Sequence, residues 1–306
     1  MGNVVLDGGH DDPGRRRALF AGDLLILPAR PASLALAALA RQLLEEAFHP
    51  WHPAEAQHFL PVEQYASVLG RVKPAFIHHP RCKALIRDLM VEVGVDPGEA
   101  YFDVPRLRSA TSDDYLSSGI AYAFHPHRDT WYSAPQAQIN WWLPVYEMVP
   151  ANGMAVYPDW FARAVPNSSE CYNYYRWNAE SRASADKQIG ADTRVQPRLT
   201  TEINLENEIR VSLPVGGMLA FSGHHLHATV HNTTGVTRFS IDFRTVHIGD
   251  LESGQGAPRT DVRCTGTTLR DFHRAADLEP LSRPIIEMYD DESALEYVDT
   301  LVFAPS

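Results

Sequence analysis

The chain predicts a mainly β protein, a β-sandwich or jelly-roll core with flanking helices packed outside one sheet. The longer helical periodicities lie in roughly the first third of the sequence. From Tyr101 onward, short runs of β-branched and aromatic residues recur between Gly, Pro, Asn and Asp, and about eight of them follow at strand-and-turn spacing without intervening helices. With 44% hydrophobic residues in 306, the chain can bury a large core, and its length fits one elaborated domain over 1–306.

Pro31-Ala-Ser suits a helix start, and Leu and Ala then recur at helical spacing through Phe48. Two more helices are expected over Val62 to Leu69 and Arg81 to Val93, so that 31–95 forms a helical layer. The core, 100–248, is expected to hold strands at Tyr101 to Leu107, Ile120 to Phe124, Ala137 to Val145, Met154 to Tyr157, Ile209 to Leu213, Met218 to Phe221, Leu226 to Val230 and Val236 to His247. The stretch 160–201 interrupts this rhythm with CYNYYRWNAESRASADKQ, aromatic-rich and partly helical in composition, and is expected to be a lid or binding insertion. The remainder, 249–306, should wrap the outside, with a short helix near Thr268 to Ala276.

Twenty-seven basic against 38 acidic side chains give a formal charge of −11, which disfavours nucleic acid and anionic membranes as partners. Cys82, Cys171 and Cys264 are far apart without CxxC spacing, which argues against a disulfide framework or a cysteine zinc site and points to a reducing cytoplasm. The start, MGNVVLDGGHDDPGRRR, lacks a secretory pattern, Leu6 breaks the myristoylation motif, and the apolar run Leu34 to Ala40 is too short to span a bilayer. The expected partner is a small molecule; oligomeric state is not readable from the sequence.

His127-Arg128-Asp129 has the spacing that brings an imidazole and a carboxylate to one side of a strand end, as an open iron site of two His and one carboxylate requires. Taken alone it also reads as a polar surface turn. A second segment, PVGGMLAFSGHHLHATVHNTTGVTRFSIDFRTV, offers His224, His225, His227 and His231 as the distal ligand. His227 is preferred because it starts a strand eleven residues before Arg238, an arrangement expected to let the two meet across a hairpin. In the last strand alternation puts Arg238, Ser240, Asp242 and Arg244 on one face and Phe239, Ile241 and Phe243 on the other. Arg238-x-Ser240 provides a bidentate fork and a hydroxyl suited to a planar carboxylate.

These residues together resemble the iron(II)/2-oxoglutarate-dependent oxygenases, and within them the phytanoyl-CoA dioxygenase-like branch, over about Gly119 to Val246. A further stretch, QINWWLPVYEMVPANGMAVYP, is similar to the branch's Gln-bearing strand and Asn-Gly turn through Gln138, Trp142, Pro144, Asn152 and Gly153. Asn232 and Gly235 agree as well. The resemblance implies a double-stranded β-helix, cupin-like core, iron(II), 2-oxoglutarate and dioxygen. It further implies that His127, Asp129 and His227 are the catalytic iron ligands, that Arg238 binds the distal carboxylate of 2-oxoglutarate, and that Ser240 and Gln138 support it. Pro158-Asp159-Trp160 departs from the branch's usual Pro-Gly-Ser-His turn, while Asp129 stands where halogenating relatives carry a small residue, which disfavours halogenation.

The implied reaction is oxidation, hydroxylation in the first instance, of a small polar metabolite such as a natural-product intermediate, with 2-oxoglutarate decarboxylated to succinate. Desaturation, cyclisation or epoxidation would use the same oxidant. Arg244, Trp142, Tyr175 and Arg176 are the candidate substrate contacts, with Tyr172 and Tyr174 beside them. The competing class is a non-oxidative cupin-type isomerase or epimerase, or a small-molecule binding module. Gly119 followed by His125-Pro126-His127 imitates half of a cupin motif, but its Glu is missing from Arg128 to Tyr132.

Overall fold

The computed structural model describes residues 3–6 and 9–290. Its helices are α1 (Asp12–Phe20), α2 (Pro31–Phe48), α3 (Val62–Ile77), α4 (Pro80–Glu92), α5 (Tyr174–Arg176), α6 (Ile248–Ser253) and α7 (Arg283–Glu287). The strands are β1 (Val4–Leu6), β2 (Leu24–Leu27), β3 (Ala100–Phe102), β4 (Arg106–Ala110), β5 (Ile139–Pro144), β6 (Met154–Val156), β7 (Ile209–Val211), β8 (Met218–Ser222), β9 (His227–Thr229), β10 (Arg238–His247) and β11 (His273–Arg274). They form one eight-stranded sheet, ordered β1-β2-β8-β5-β10-β3-β11 with β4 also on β10, and a second sheet ordered β7-β6-β9.

The two sheets face each other. Trp142, Leu219 and Phe221 of the large sheet pack on Met154, Val156 and Val211 of the small one. On the other side of the large sheet, Phe239, Ile241 and Phe243 are fully buried with Trp141 and Leu143 against Leu36, Leu44, Tyr65 and Leu69 of α2 and α3. Each such apolar side chain contributes about 1.5–3 kcal/mol when removed from water. Alternation along β10 therefore turns Arg238, Asp242 and Arg244 toward the space between the sheets.

Several expectations change. Ile120 to Phe124 is not a strand: Gly119–Ala121 is a 3-10 turn, because Gly119 takes a left-handed φ of 58°. Tyr101 to Leu107 is two strands, and the chain between them leaves the ladder where the Asp103 N–H bonds the Arg244 carbonyl. Helix α3 runs on past Leu69 to Ile77 with Pro74 inside it. The helix expected over Thr268 to Ala276 is a 3-10 turn followed by β11. Helix α1 and strands β1 and β2 had no counterpart in the sequence reading; β2, LLIL, carries no alternation because it lies between β1 and β8. Of the expected C-terminal wrap, 291–306 lies outside the described residues. Among those described, no helix is long and apolar enough to cross a membrane.

Candidate metal centre

His127 and His227 are brought together by backbone hydrogen bonds. They form an antiparallel bridge in which the His127 N–H donates to the His227 carbonyl at 3.0 Å and the His227 N–H returns the bond at 2.9 Å. Directly opposed residues of such a pair project to one face, and the two rings lie 4.3 Å apart between centroids. On its other edge His227 pairs with Val156 of β6, so the bridge extends the small sheet by the segment that carries His127. Asp129 follows at the first residue of a 3-10 turn, Asp129–Tyr132, with its carboxylate near the Nε2 edge of both rings.

Asp129 Oδ1 lies 3.6 Å from His127 Nε2 and 3.8 Å from His227 Nε2. The three ligand atoms lie within 4.8 Å of one another, and all three residues are buried. The tautomers follow from the backbone. His127 Nδ1 faces the His125 carbonyl at 2.8 Å and His227 Nδ1 faces the His225 carbonyl at 2.9 Å. A carbonyl only accepts, so each Nδ1 carries the hydrogen and each Nε2 turns a lone pair toward Asp129.

The other oxygen of Asp129 is held from behind. Oδ2 accepts from Asn140 Nδ2 at 2.9 Å, from Gln138 Nε2 at 3.1 Å and from Arg244 Nε at 3.4 Å. Burial pushes the Asp129 carboxyl up, but the neighbouring His127 and His227 and the Asn140 amide outweigh it and hold it at about 2. The amides favour the ionised form even with both rings neutral. Burial and the neighbouring His127 push His227 down to about 4. At neutral pH the centre is one carboxylate and neutral His227, a donor set that fits a divalent iron or a similar cation.

Arg238 is buried at the far end of β10. Its Nε donates to the Asn152 carbonyl at 2.9 Å and its Nη1 to Ser240 Oγ at 2.6 Å, while the guanidinium lies 5.5 Å over the Trp142 ring. Nη2 has no hydrogen-bond partner among the described residues. Burial pushes this guanidinium down to about 10, still charged at neutral pH. Asn232 fastens the approach to β10 by donating to the Ala110 and Val236 carbonyls at 2.9 and 2.8 Å.

A cavity of about 440 Å³ joins the three candidate ligands to Arg238, Trp142 and Arg244. The insertion covers part of it through Tyr172, Tyr174, Trp177, Asn178 and Arg182.

Two sequence expectations need correction. His227 and Arg238 do not meet across a hairpin, because β9 pairs with β6 and β10 pairs with β4 and β5; the chain crosses from one sheet to the other between them. Gln138 lines the cavity, and its Nε2 donates to Asp129 at 3.1 Å and to Asn140 at 2.8 Å, so it also holds the carboxylate. Tyr175 and Arg176 do not line the cavity: the Tyr175 hydroxyl donates to Asp290 at 2.7 Å, and Arg176 is exposed one residue beyond it. Asn140 was missed, although alternation in β5 places it with Gln138 and Trp142 on one face. Arg108, Tyr132 and Arg182 carry no motif.

The other histidines of the second segment are accounted for elsewhere. His224 lies against the guanidinium of the fully buried Arg128, His225 Nε2 faces the Gly22 carbonyl at 3.0 Å, and His231 is exposed beside Asp114.

Two imidazoles and one carboxylate on one face of a metal, with other positions open, is the ligand set of non-haem iron(II) oxygenases. No family model matches the chain, and no curated protein matches it. Solved structures similar to it include EvdO2 from Micromonospora carbonacea var. aurantiaca complexed with 2-oxoglutarate, 14% identical, covering 79% of this chain and 93% of that one, at a TM-score of 0.45. The epimerase SnoN in complex with Fe3+, alpha ketoglutarate and nogalamycin RO is 17% identical, covering 82% and 98%, at 0.39. The non-heme monooxygenase ThoJ in its apo form is 16% identical, covering 72% and 71%, at 0.38. Likeness at this level carries no argument about chemistry, which rests on the geometry of the site.

Proposed function

We propose that the chain is an iron(II)/2-oxoglutarate-dependent oxygenase, built on a double-stranded β-helix core, that oxidises a small metabolite. The observation that carries this reading is the conjunction of a buried His127-Asp129-His227 cluster with a buried arginine, Arg238, opening on the same cavity. A metal-binding module would need only the cluster. The arginine is explained by a diacid cosubstrate that must lie beside the metal.

His127 Nε2, His227 Nε2 and Asp129 Oδ1 would hold the iron on one face. Arg238 would receive the distal carboxylate of 2-oxoglutarate, its charge undiluted by a paired carboxylate, with Ser240 fixing the fork and Trp142 lying under it. Bound iron and 2-oxoglutarate supply an oxygen-derived oxidant and release succinate and carbon dioxide. The chain's own part is orientation: Gln138 and Asn140 donate to Asp129 Oδ2, which would leave Oδ1 to the metal. Hydroxylation is the outcome this arrangement needs least help to reach, since it asks only that one substrate C–H face the metal.

The test is anaerobic addition of iron(II) and then 2-oxoglutarate to the metal-free protein. A weak visible charge-transfer band is expected, followed on admission of air by succinate release. Folded protein that is loaded with iron but gives no band on adding 2-oxoglutarate would favour a non-oxidative isomerase or a binding module.

A further inference from the structure

The cavity contains more positive charge than the iron and diacid reading uses. Seven lysine and arginine side chains line it against three aspartates, in a chain whose formal charge is −11. Most of these cations are already committed. Arg108 pairs with Asp242 at 2.7 Å, Arg106 with Asp103 at 2.6 Å and Arg194 with Asp192 at 2.5 Å. Arg244 bridges Asp129 and Asp242, and Lys73 donates to Ser109 and the Ile120 carbonyl. Arg182 differs: it lines the cavity from the insertion, is partly buried, and makes no hydrogen bond or ion pair among the described residues. Its electrostatic neighbours are Tyr174, Arg106, Asp271 and Tyr172, and Asp271 already accepts the Tyr174 hydroxyl.

Arg182 and Arg238 serve different ends of the cavity. In the register of β4 on β10, Arg238 stands opposite Ala110, whereas Arg106, the neighbour of Arg182, stands opposite Asp242. A wall of rings runs from the candidate metal ligand His127 to the insertion that carries Arg182. Phe124 stacks on His127 at 4.9 Å and meets Tyr132 at 6.3 Å; Tyr132 meets Tyr172 at 5.1 Å, and Tyr172 meets Trp177 at 5.7 Å. All of these side chains line the cavity. Aromatic faces of this kind receive a flat or ring-shaped body, and an unpaired guanidinium receives a carboxylate or phosphate.

We propose that Arg182 anchors an anionic group, a carboxylate or a phosphate ester, on a ring-bearing primary substrate that lies along the aromatic wall with its far side toward the metal. The substrate class is thus a small cyclic acid, and Arg182 is its specificity-determining residue. The proposal rests on the oxygenase reading for what happens at the metal; the anion site itself does not.

The test is calorimetric titration of the full chain with 3-phenylpropionate, phenyl phosphate and the uncharged 3-phenylpropionamide, each with and without iron(II) and 2-oxoglutarate under anaerobic conditions. At least one acid is expected to bind about tenfold or more tightly than the amide, as a charge-assisted hydrogen bond supplies. Which of the two acids wins tells carboxylate from phosphate. Arg182→Gln should erase the preference and leave 2-oxoglutarate affinity unchanged, while Arg182→Lys should keep part of it. Equal binding of acid and amide, as expected if Arg182 only balances Asp271, would overturn the proposal. So would a preference that survives Arg182→Gln, failure of both acids to saturate the wild type, or weakened 2-oxoglutarate binding in Arg182→Gln. Should Arg182→Gln fail to fold, the wild-type comparison and Arg182→Lys decide. Loss of the 2-oxoglutarate response beside an intact acid preference would sink the oxygenase reading and leave the anion site standing.

Discussion

The two ends of the cavity are built differently. The Arg238 end is made of paired strands: β10 is held by β4 and β5, Arg238 is fastened to Asn152 and Ser240, and the candidate ligands sit on a backbone bridge. The Arg182 end is made of an insertion in which α5 passes into a five-residue π-helical turn, Trp177–Ser181, and then a 3-10 stretch. Regular pairing fixes groups that must be placed to a fraction of an ångström, such as metal ligands. Irregular helix, whose backbone bonds can be re-formed at little cost, suits the surface that selects a substrate.

Changes at the strand end should be severe and chemical. Asp129→Ala is expected to lower succinate release by the iron-loaded protein by on the order of a thousandfold or more, with iron content measured alongside; near-normal turnover would break the ligand assignment. Next in size, Arg238→Gln should weaken 2-oxoglutarate binding by roughly ten- to a hundredfold, read from the charge-transfer band, and Arg238→Lys should recover only part because it lacks the planar fork. Asn140→Leu removes a donor to Asp129 Oδ2 at 2.9 Å. Iron affinity should fall by about ten- to a hundredfold with the fold intact; an unchanged affinity would show that Gln138 suffices.

At the insertion end the expected effects are smaller and mechanical. Gly119 has φ +58°, and a Cβ there would meet the Ala185 carbonyl oxygen at 2.3 Å and that of Gln188 at 2.5 Å. Gly119→Ala should loosen the contact by about 1–2 kcal/mol, seen as faster proteolysis within 160–201 while 2-oxoglutarate binding persists. The mildest test concerns His224, which burial and the charge of Arg128 push down to about 3. The folded value lies below the ordinary one, so as pH falls through about 6.5 the unfolded chain takes up the proton first and stability drops until about pH 3. His224→Gln should therefore be less stable than wild type at pH 8, and the gap in urea midpoints should narrow at pH 5; a constant gap would mean that the ring is not held neutral.

How legible all this was depended on distance along the chain. Alternation over Arg238 to His247 put the guanidinium and the phenyl rings on opposite faces, and the buried Phe239, Ile241 and Phe243 show why that pattern exists. Asn140 was legible by the same rule, directly ahead of Trp141 and Trp142. The hairpin between His227 and Arg238 was misjudged because nearness in sequence suggested pairing, whereas β9 gains its partners from β6 and from His127. Tyr175 and Arg176 were chosen from composition, and in an irregular helical run composition does not say which way a side chain turns.

What the sequence determined alone is whatever a local period can encode: the helices with an apolar stripe, the strands with two faces, and the kinds of donor available near a metal. Which donors meet was decided only by tertiary structure. A backbone bridge between residues a hundred positions apart, the amides behind Asp129, and an arginine left without a carboxylate among the described residues are all set by pairing between distant segments, and no periodicity within either segment carries that information.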